Sequence, residues 1–120
     1  AGTPVIGRAT GGLIQQIVNV DENRDTGTGL LFRESHPGDR DAWIAIETAP
    51  TPGERMQVPT YQSIVESCTQ ALTRGCEIYR HEPATYGRML AHLYDKASSF
   101  SWDRTIRAYD GVYHRAAERQ

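Results

Sequence analysis

The fold is decided close to the amino terminus, where residues 2–18 have the sequence GTPVIGRATGGLIQQIV. The β-branched pair Val5 and Ile6 lies between turn-forming residues, which predicts a short buried strand. Gly11 and Gly12 then break the strand. The apolar residues that follow have helical spacing, at positions 13, 14, 17 and 18. The order strand, glycine loop, short amphipathic helix is the first half of a βαβ unit.

A second strand is predicted at residues 27–32, GTGLLF, after a polar turn at 21–25. A short apolar run bounded by glycines is typical of a buried strand. Two strands joined through a helix are expected to run parallel in one sheet. The fold class is therefore predicted to be α/β, with about two parallel strands.

Residues 34–60 are predicted to be a loop or an insertion, because four prolines and two glycines surround one apolar run. That run, residues 41–46, is compatible with a short helix or an edge strand. The stretch 48–59 is expected to be a surface loop.

Several helices are predicted after residue 60. Thr60 is the expected N-cap of the first, Pro83 lies in the first turn of the second, and Ser101 caps the last. The last helix has an apolar stripe formed by Trp102, Ile106, Tyr109, Val112 and Tyr113. Such a stripe predicts burial against the core. Its aromatic members would stack on a sugar only if they were exposed.

Length and composition restrict the function classes. A chain of 120 residues with a net charge of −2 is one domain at most, and its 22 Leu, Ile, Val and Phe residues predict a thin core. No apolar stretch approaches the length of a membrane span, so a cytoplasmic protein is expected. Arginines are scattered without a basic stripe, which argues against nucleic acid as a partner.

A metal site is not expected either. The four histidines, at 36, 81, 92 and 114, never occur with the i, i+4 spacing that places two ligands on one helix face. Cys68 and Cys76 would lie about 12 Å apart on a helix, which is too far for a disulfide. Reduced thiols are predicted.

Four motifs in a fixed order carry a resemblance to a known family: GTPVI at 2–6, TGGL at 10–13, TGTGLLF at 26–32 and FSWD at 100–103, the last followed by Tyr109 and Tyr113. Together they resemble the C-terminal end of glycogen and starch synthases and related retaining glycosyltransferases. The resemblance is strong over residues 1–33 and 97–115 and loose between them.

The resemblance implies two Rossmann-like domains facing a cleft, in which the C-terminal domain binds the nucleotide sugar. Residues 1–120 would be a C-terminal fragment of that donor-binding domain, an expectation that the start at Ala1 also favours. The whole enzyme would transfer glucose from ADP-glucose or UDP-glucose to an α-1,4-glucan with retained configuration, and no separate cofactor is implied. The family's donor-binding acidic motif and its phosphate-binding Arg and Lys lie upstream, so no catalytic residue is assigned here and the chain alone is expected to be inactive.

The candidate binding residues are Thr10, Gly11 and Gly12. Glycines after a parallel strand allow close approach of a ligand, and the amides at the start of the next helix favour an anion. The alternative is that both glycines only make a tight βα turn. Many relatives have an acidic residue after the TGGL motif, whereas this chain has Gln15 and Gln16.

A two-stranded remnant of a larger sheet would leave strand edges and apolar faces open. Such a chain is expected to form homo-oligomers through its exposed sheet edges, or to be only marginally stable. Two other functions stay open. The chain is either part of another retaining glycosyltransferase of the same fold, or a non-catalytic interaction module.

Overall fold

The computed structural model describes residues 2–118 and has a mixed α/β fold. Its strands are β1 (Val5–Arg8) and β2 (Gly29–Phe32), and its helices are α1 (Leu13–Gln16), α2 (Arg40–Thr48), α3 (Pro52–Arg55), α4 (Pro59–His81), α5 (Pro83–Ser98) and α6 (Trp102–Ala117). The predicted fold class is confirmed: two parallel strands and several helices form part of a Rossmann-like domain.

The sheet is small and has one covered edge. Val5 lies opposite Gly29 and Arg8 opposite Phe32, in parallel register. Beyond β2, Asn19 forms an isolated parallel bridge to Gly29. No residue in the described range 2–118 pairs with the outer edge of β1, so that edge is open.

Helix α1 is shorter than the spacing of its apolar residues predicted. It ends after Gln16, because Ile17 already has extended backbone, with φ −109° and ψ 128°. The chain then runs beside β2, where the Val20 amide donates to the Gly29 carbonyl. Pairing with the strand therefore takes Val18 out of the predicted helix.

The core lies where α4 and α5 meet the sheet. Val20, Leu30, Ile78 and Met89 form one buried cluster, with Ile6 and Tyr86 packed against it. On α4, Gly75 allows a close approach to β1: a Cβ there would lie 2.7 Å from Cδ1 of Ile6. The buried cluster is small, as the scarcity of large apolar residues predicted.

Residues 34–60 are not a continuous loop. The apolar run 41–46 belongs to α2, whose N-cap Asp39 accepts a hydrogen bond from the Ala42 amide at 2.9 Å. Helix α3 lies inside the stretch predicted to be a surface loop, and it begins with a capping box formed by Thr51 and Glu54. The helix alternative for residues 41–46 is therefore confirmed, whereas the expectation of a surface loop is wrong at α3; local capping stabilises a helix in each place.

Two of the three predicted helix starts are confirmed. Pro83 opens α5, and the Ser101 hydroxyl accepts a hydrogen bond from the Arg104 amide at the start of α6. The prediction for Thr60 is wrong. The N-cap is Val58, two residues earlier, and Pro59, whose fixed φ suits the first helical position, begins α4; Thr60 lies inside the first turn and is only 3% exposed.

The apolar stripe of α6 is exposed, so the prediction that it is buried is wrong. Its five members are between 52% and 81% exposed. The Cα radius of gyration is 19.3 Å, whereas a compact domain of this length has about 14 Å. The stripe is uncovered because α6 extends away from the small core. Within residues 2–118, no helix is both long enough and apolar enough to cross a membrane.

Candidate functional site

The candidate site lies at the carboxyl ends of β1 and β2. Because the strands are parallel, the loop after β1 (residues 9–12, here called the glycine loop) and the loop after β2 (residues 33–39) begin at the same edge of the sheet. In open α/β sheets, ligands bind outside this edge. The structure therefore places Thr10, Gly11 and Gly12 together where a ligand is expected.

The glycine loop is held at its base and open at its tip. The Ala9 amide donates to the Phe32 carbonyl, and the Thr10 amide donates to the Arg8 carbonyl, each at 2.8 Å. Gly11 and Gly12 are exposed. Within residues 2–118, their amides donate to no protein acceptor. Two adjacent backbone donors are thus free of protein acceptors within residues 2–118, a condition that anion binding requires.

The structure explains why residue 11 is a glycine, but it does not explain why residue 12 is one. Gly11 has a φ of +49°, a left-handed conformation that favours glycine, so the turn explains it. Gly12 has ordinary helical angles, φ −66° and ψ −19°. A Cβ on Gly12 would meet only Nε2 of Gln16, at 3.5 Å. Neither the backbone nor packing against the described residues requires glycine at position 12, so the tight-turn explanation covers Gly11 but not Gly12.

An ion pair that the sequence does not predict joins the end of β1 to the loop after β2. The Arg8 guanidinium donates from Nε to Glu34 Oε2 at 2.9 Å and from its terminal nitrogen to Oε1 at 2.5 Å. It also lies over the Trp43 ring, 4.7 Å from the ring centroid. The hydrogen bonds from Arg8 lower the pKa of Glu34 to about 2. The parallel register of the strands indicates this ion pair, because Arg8 lies opposite Phe32 and Glu34 follows Phe32 by two residues.

An open cleft of about 450 Å³ lies beside the glycine loop. Ala9 and Ile14, on either side of the tip, contribute to its wall, and its polar lining includes Asn19, Glu22 and Arg33. Within residues 2–118, Arg33 forms no ion pair. Over these residues, the cleft therefore holds one cation outside any ion pair, Arg33, together with one carboxylate, Glu22.

The cysteines and the aromatic residues of α6, which could also have a chemical role, lie on helices outside the glycine loop. Cys68 and Cys76 on α4 are free thiols. In the described part of the chain, no three His, Cys, Asp or Glu side chains cluster in a way that would hold a metal ion. The aromatic residues of α6 are exposed, which is the condition for sugar stacking. They share their face with Ile106 and Val112, however, and that mixture is typical of a helix-packing surface.

By its two parallel strands and several helices, the chain is part of a Rossmann-like α/β domain. Among curated proteins, a glycogen synthase from Moorella thermoacetica is 26% identical to this chain over 117 residues, which are 98% of this chain and 18% of that protein. No family model matches the chain, and no solved structure gives a significant match. The chain is thus similar, over almost its whole length, to a small part of a glycogen synthase.

Proposed function

We propose that this chain is the C-terminal part of the donor-binding domain of a glycogen-synthase-like glycosyltransferase, and that its glycine loop contacts the nucleotide sugar. The observation that carries the proposal is that neither the backbone conformation nor the packing of the protein requires glycine at position 12. A group approaching from outside would require it. The similarity to a glycogen synthase supports the choice of a nucleotide sugar as that group.

In this proposal the chain contributes binding, not the bond-making chemistry. The amides of Gly11 and Gly12 would donate hydrogen bonds to a phosphate oxygen or a sugar hydroxyl, and Arg33 lies beside the same loop. The whole enzyme would move a glucosyl unit from ADP-glucose or UDP-glucose to the non-reducing end of an α-1,4-glucan with retained configuration. The 120-residue chain alone would bind the donor without turnover.

The test is the substitution Gly12→Val. A Cβ at position 12 meets only the far end of the Gln16 side chain, so we expect the fold to persist, while a branched side chain at the loop would obstruct a ligand. We expect the dissociation constant for the donor to rise about tenfold or more, which corresponds to about 1.4 kcal/mol. The measurement is calorimetric titration of the chain with ADP-glucose and with UDP-glucose, and comparison of the two identifies the nucleotide.

The matched control is Gly87→Ala on α5, where a Cβ meets nothing within 4 Å and the helix is remote in sequence from the loop. Its affinity for the donor should equal that of the unmodified chain. Unchanged affinity in Gly12→Val would remove the glycine loop from the site. If the unmodified chain binds neither nucleotide sugar, the donor-binding proposal is wrong. An acceptor assay on the whole enzyme would separate a glucan synthase from another retaining transferase of this fold.

A second candidate function, a non-catalytic interaction module, is favoured by the uncovered surfaces. The outer edge of β1 is unpaired within residues 2–118, and the apolar face of α6 is exposed. An open strand edge is a template for pairing with another chain. If this candidate is correct, sedimentation experiments should show a mass that rises with concentration, or a bound protein partner, in a chain without affinity for nucleotide sugars.

A further inference from the structure

We propose that Arg8, Glu34 and Trp43 are positioning residues for the glycine loop: together they hold the end of β1 against the loop after β2, so that the amides of Gly11 and Gly12 keep one orientation. The effect on donor binding rests on the proposed function. The effect on the order of the loop does not, and it can be measured without a ligand.

The first step is the direct link between Arg8 and the loop. Arg8 is the last residue of β1, and its carbonyl accepts the hydrogen bond from the Thr10 amide at 2.8 Å. The backbone of Arg8 is therefore the base on which the glycine loop turns. A restraint on the Arg8 side chain also restrains the start of the loop.

The second step is that the guanidinium is held on two sides. Glu34 accepts two hydrogen bonds from it, and Trp43 of α2 lies against it at 4.7 Å. The planar, bidentate pairing of arginine with a carboxylate fixes direction as well as distance. Three separate segments of the chain thus meet at one side chain.

The third step is that the partner loop has a firm support. The His36 amide donates to Ser63 Oγ at 2.9 Å, and Ser63 is buried on α4. Gly38 lies so close to α4 that a Cβ there would be 2.7 Å from Oγ1 of Thr60. The loop that carries Glu34 is therefore anchored to the longest helix, and Glu34 transmits that support to Arg8.

The fourth step separates Arg8 from ligand contact. Its hydrogen bonds and charge are directed to Glu34, so a phosphate would have to compete with a bound carboxylate. Arg33 forms no ion pair within residues 2–118 and lies in the cleft beside the loop. Arg8 is thus suited to hold the loop in place, and it is Arg33 that remains available to an anion.

The test compares Glu34→Gln and Arg8→Lys with the control Arg74→Ala. Glu34→Gln keeps the shape but removes the charge, and Arg8→Lys keeps the charge but removes the bidentate fork. Arg74, on α4, also pairs with carboxylates: it donates hydrogen bonds to Asp21 and Glu82 and lies 3.6 Å from Glu77. All variants are made in the 120-residue chain and measured by hydrogen exchange and donor titration.

Exchange is followed at the Ala9, Thr10 and Leu13 amides, whose hydrogen bonds form the base of the glycine loop. We expect about tenfold faster exchange there in Glu34→Gln, a smaller increase in Arg8→Lys, and none in Arg74→Ala. Donor affinity should fall in the same order. No change in exchange in the first two variants, or an equal change in Arg74→Ala, would overturn the positioning role.

The remaining outcomes are also decisive. Faster exchange in Glu34→Gln with unchanged donor affinity would overturn the role in donor binding and leave the proposed function intact. If the unmodified chain binds no nucleotide sugar, the proposed function fails, and the exchange rates alone decide whether the ion pair orders the loop.

Discussion

The substitution Ile78→Ala measures how much of the stability depends on the small core. Ile78 is 1% exposed and packs with Val20, Leu30 and Met89 where α4 meets the sheet. Removing three buried carbon atoms costs about 2.4 kcal/mol of transfer free energy at about 0.8 kcal/mol each, and the cavity adds to this. We expect the free energy of unfolding to fall by about 3 to 4 kcal/mol.

The matched control is the same substitution at Ile106 on α6. Ile106 is 54% exposed, and both positions are in helices, so the gain in helix propensity on going to alanine is the same. We expect Ile106→Ala to change the stability by no more than about 0.5 kcal/mol. The difference between the two variants therefore isolates burial.

The assay is urea unfolding followed by circular dichroism, repeated at two protein concentrations. If Ile78→Ala leaves too little folded protein, Ile78→Val should still lose about 1 kcal/mol. A loss below about 1 kcal/mol in Ile78→Ala would refute the assignment of the core. A loss above about 2 kcal/mol in Ile106→Ala would mean that the apolar face of α6 is covered in solution, and a dependence on concentration would identify a second copy as the cover.

Two further predictions concern close packing and pH. Gly27→Ala should destabilise the fold by about 2 kcal/mol, because the added Cβ would lie 2.5 Å from the Cα of Val20. Gly87→Ala on α5 should stabilise the fold by about 1 kcal/mol, because a Cβ there meets nothing within 4 Å and alanine has the higher helix propensity. The urea concentrations at the unfolding midpoints of the two variants are compared with that of the unmodified chain. The pKa of Glu34 is lowered to about 2 by Arg8, so its contribution is complete above about pH 4.5 and disappears as the pH falls towards 2. Between pH 7 and pH 2.5 the unmodified chain should lose about 1 kcal/mol more stability than Glu34→Gln; part of the loss remains in the variant, because Arg74 also lowers the pKa of Glu82. An equal loss in the two proteins would contradict the assignment.

Several features follow from short stretches of sequence because the forces behind them are local. Val5 and Ile6 form a strand, Pro83 opens α5, and the Ser101 side chain caps α6 through an amide three residues away. Each depends on backbone preferences or on a hydrogen bond between near neighbours. The position of the glycine loop at the carboxyl end of β1 could be predicted for the same reason, since it follows directly from the order strand, glycine, helix.

The pairings that organise the site depend on tertiary structure. Arg8 and Glu34 are 26 positions apart, so they meet only after β1 and β2 have paired in register. His36 and Ser63 are 27 positions apart, so they meet only after α4 has packed against the sheet. The sequence does not specify these distances, because they result from packing of the whole sheet and helix.

Periodicity and turn chemistry act over a few residues, and they were enough to predict the α/β class, the two parallel strands and the place of the glycine loop. The end of α1 after one turn and the exposure of the α6 stripe depend on long-range packing and could not be predicted in this way. A pattern of apolar residues shows that a helix has an apolar face. Whether that face is covered depends on which other elements reach it, and in residues 2–118 none covers the stripe of α6.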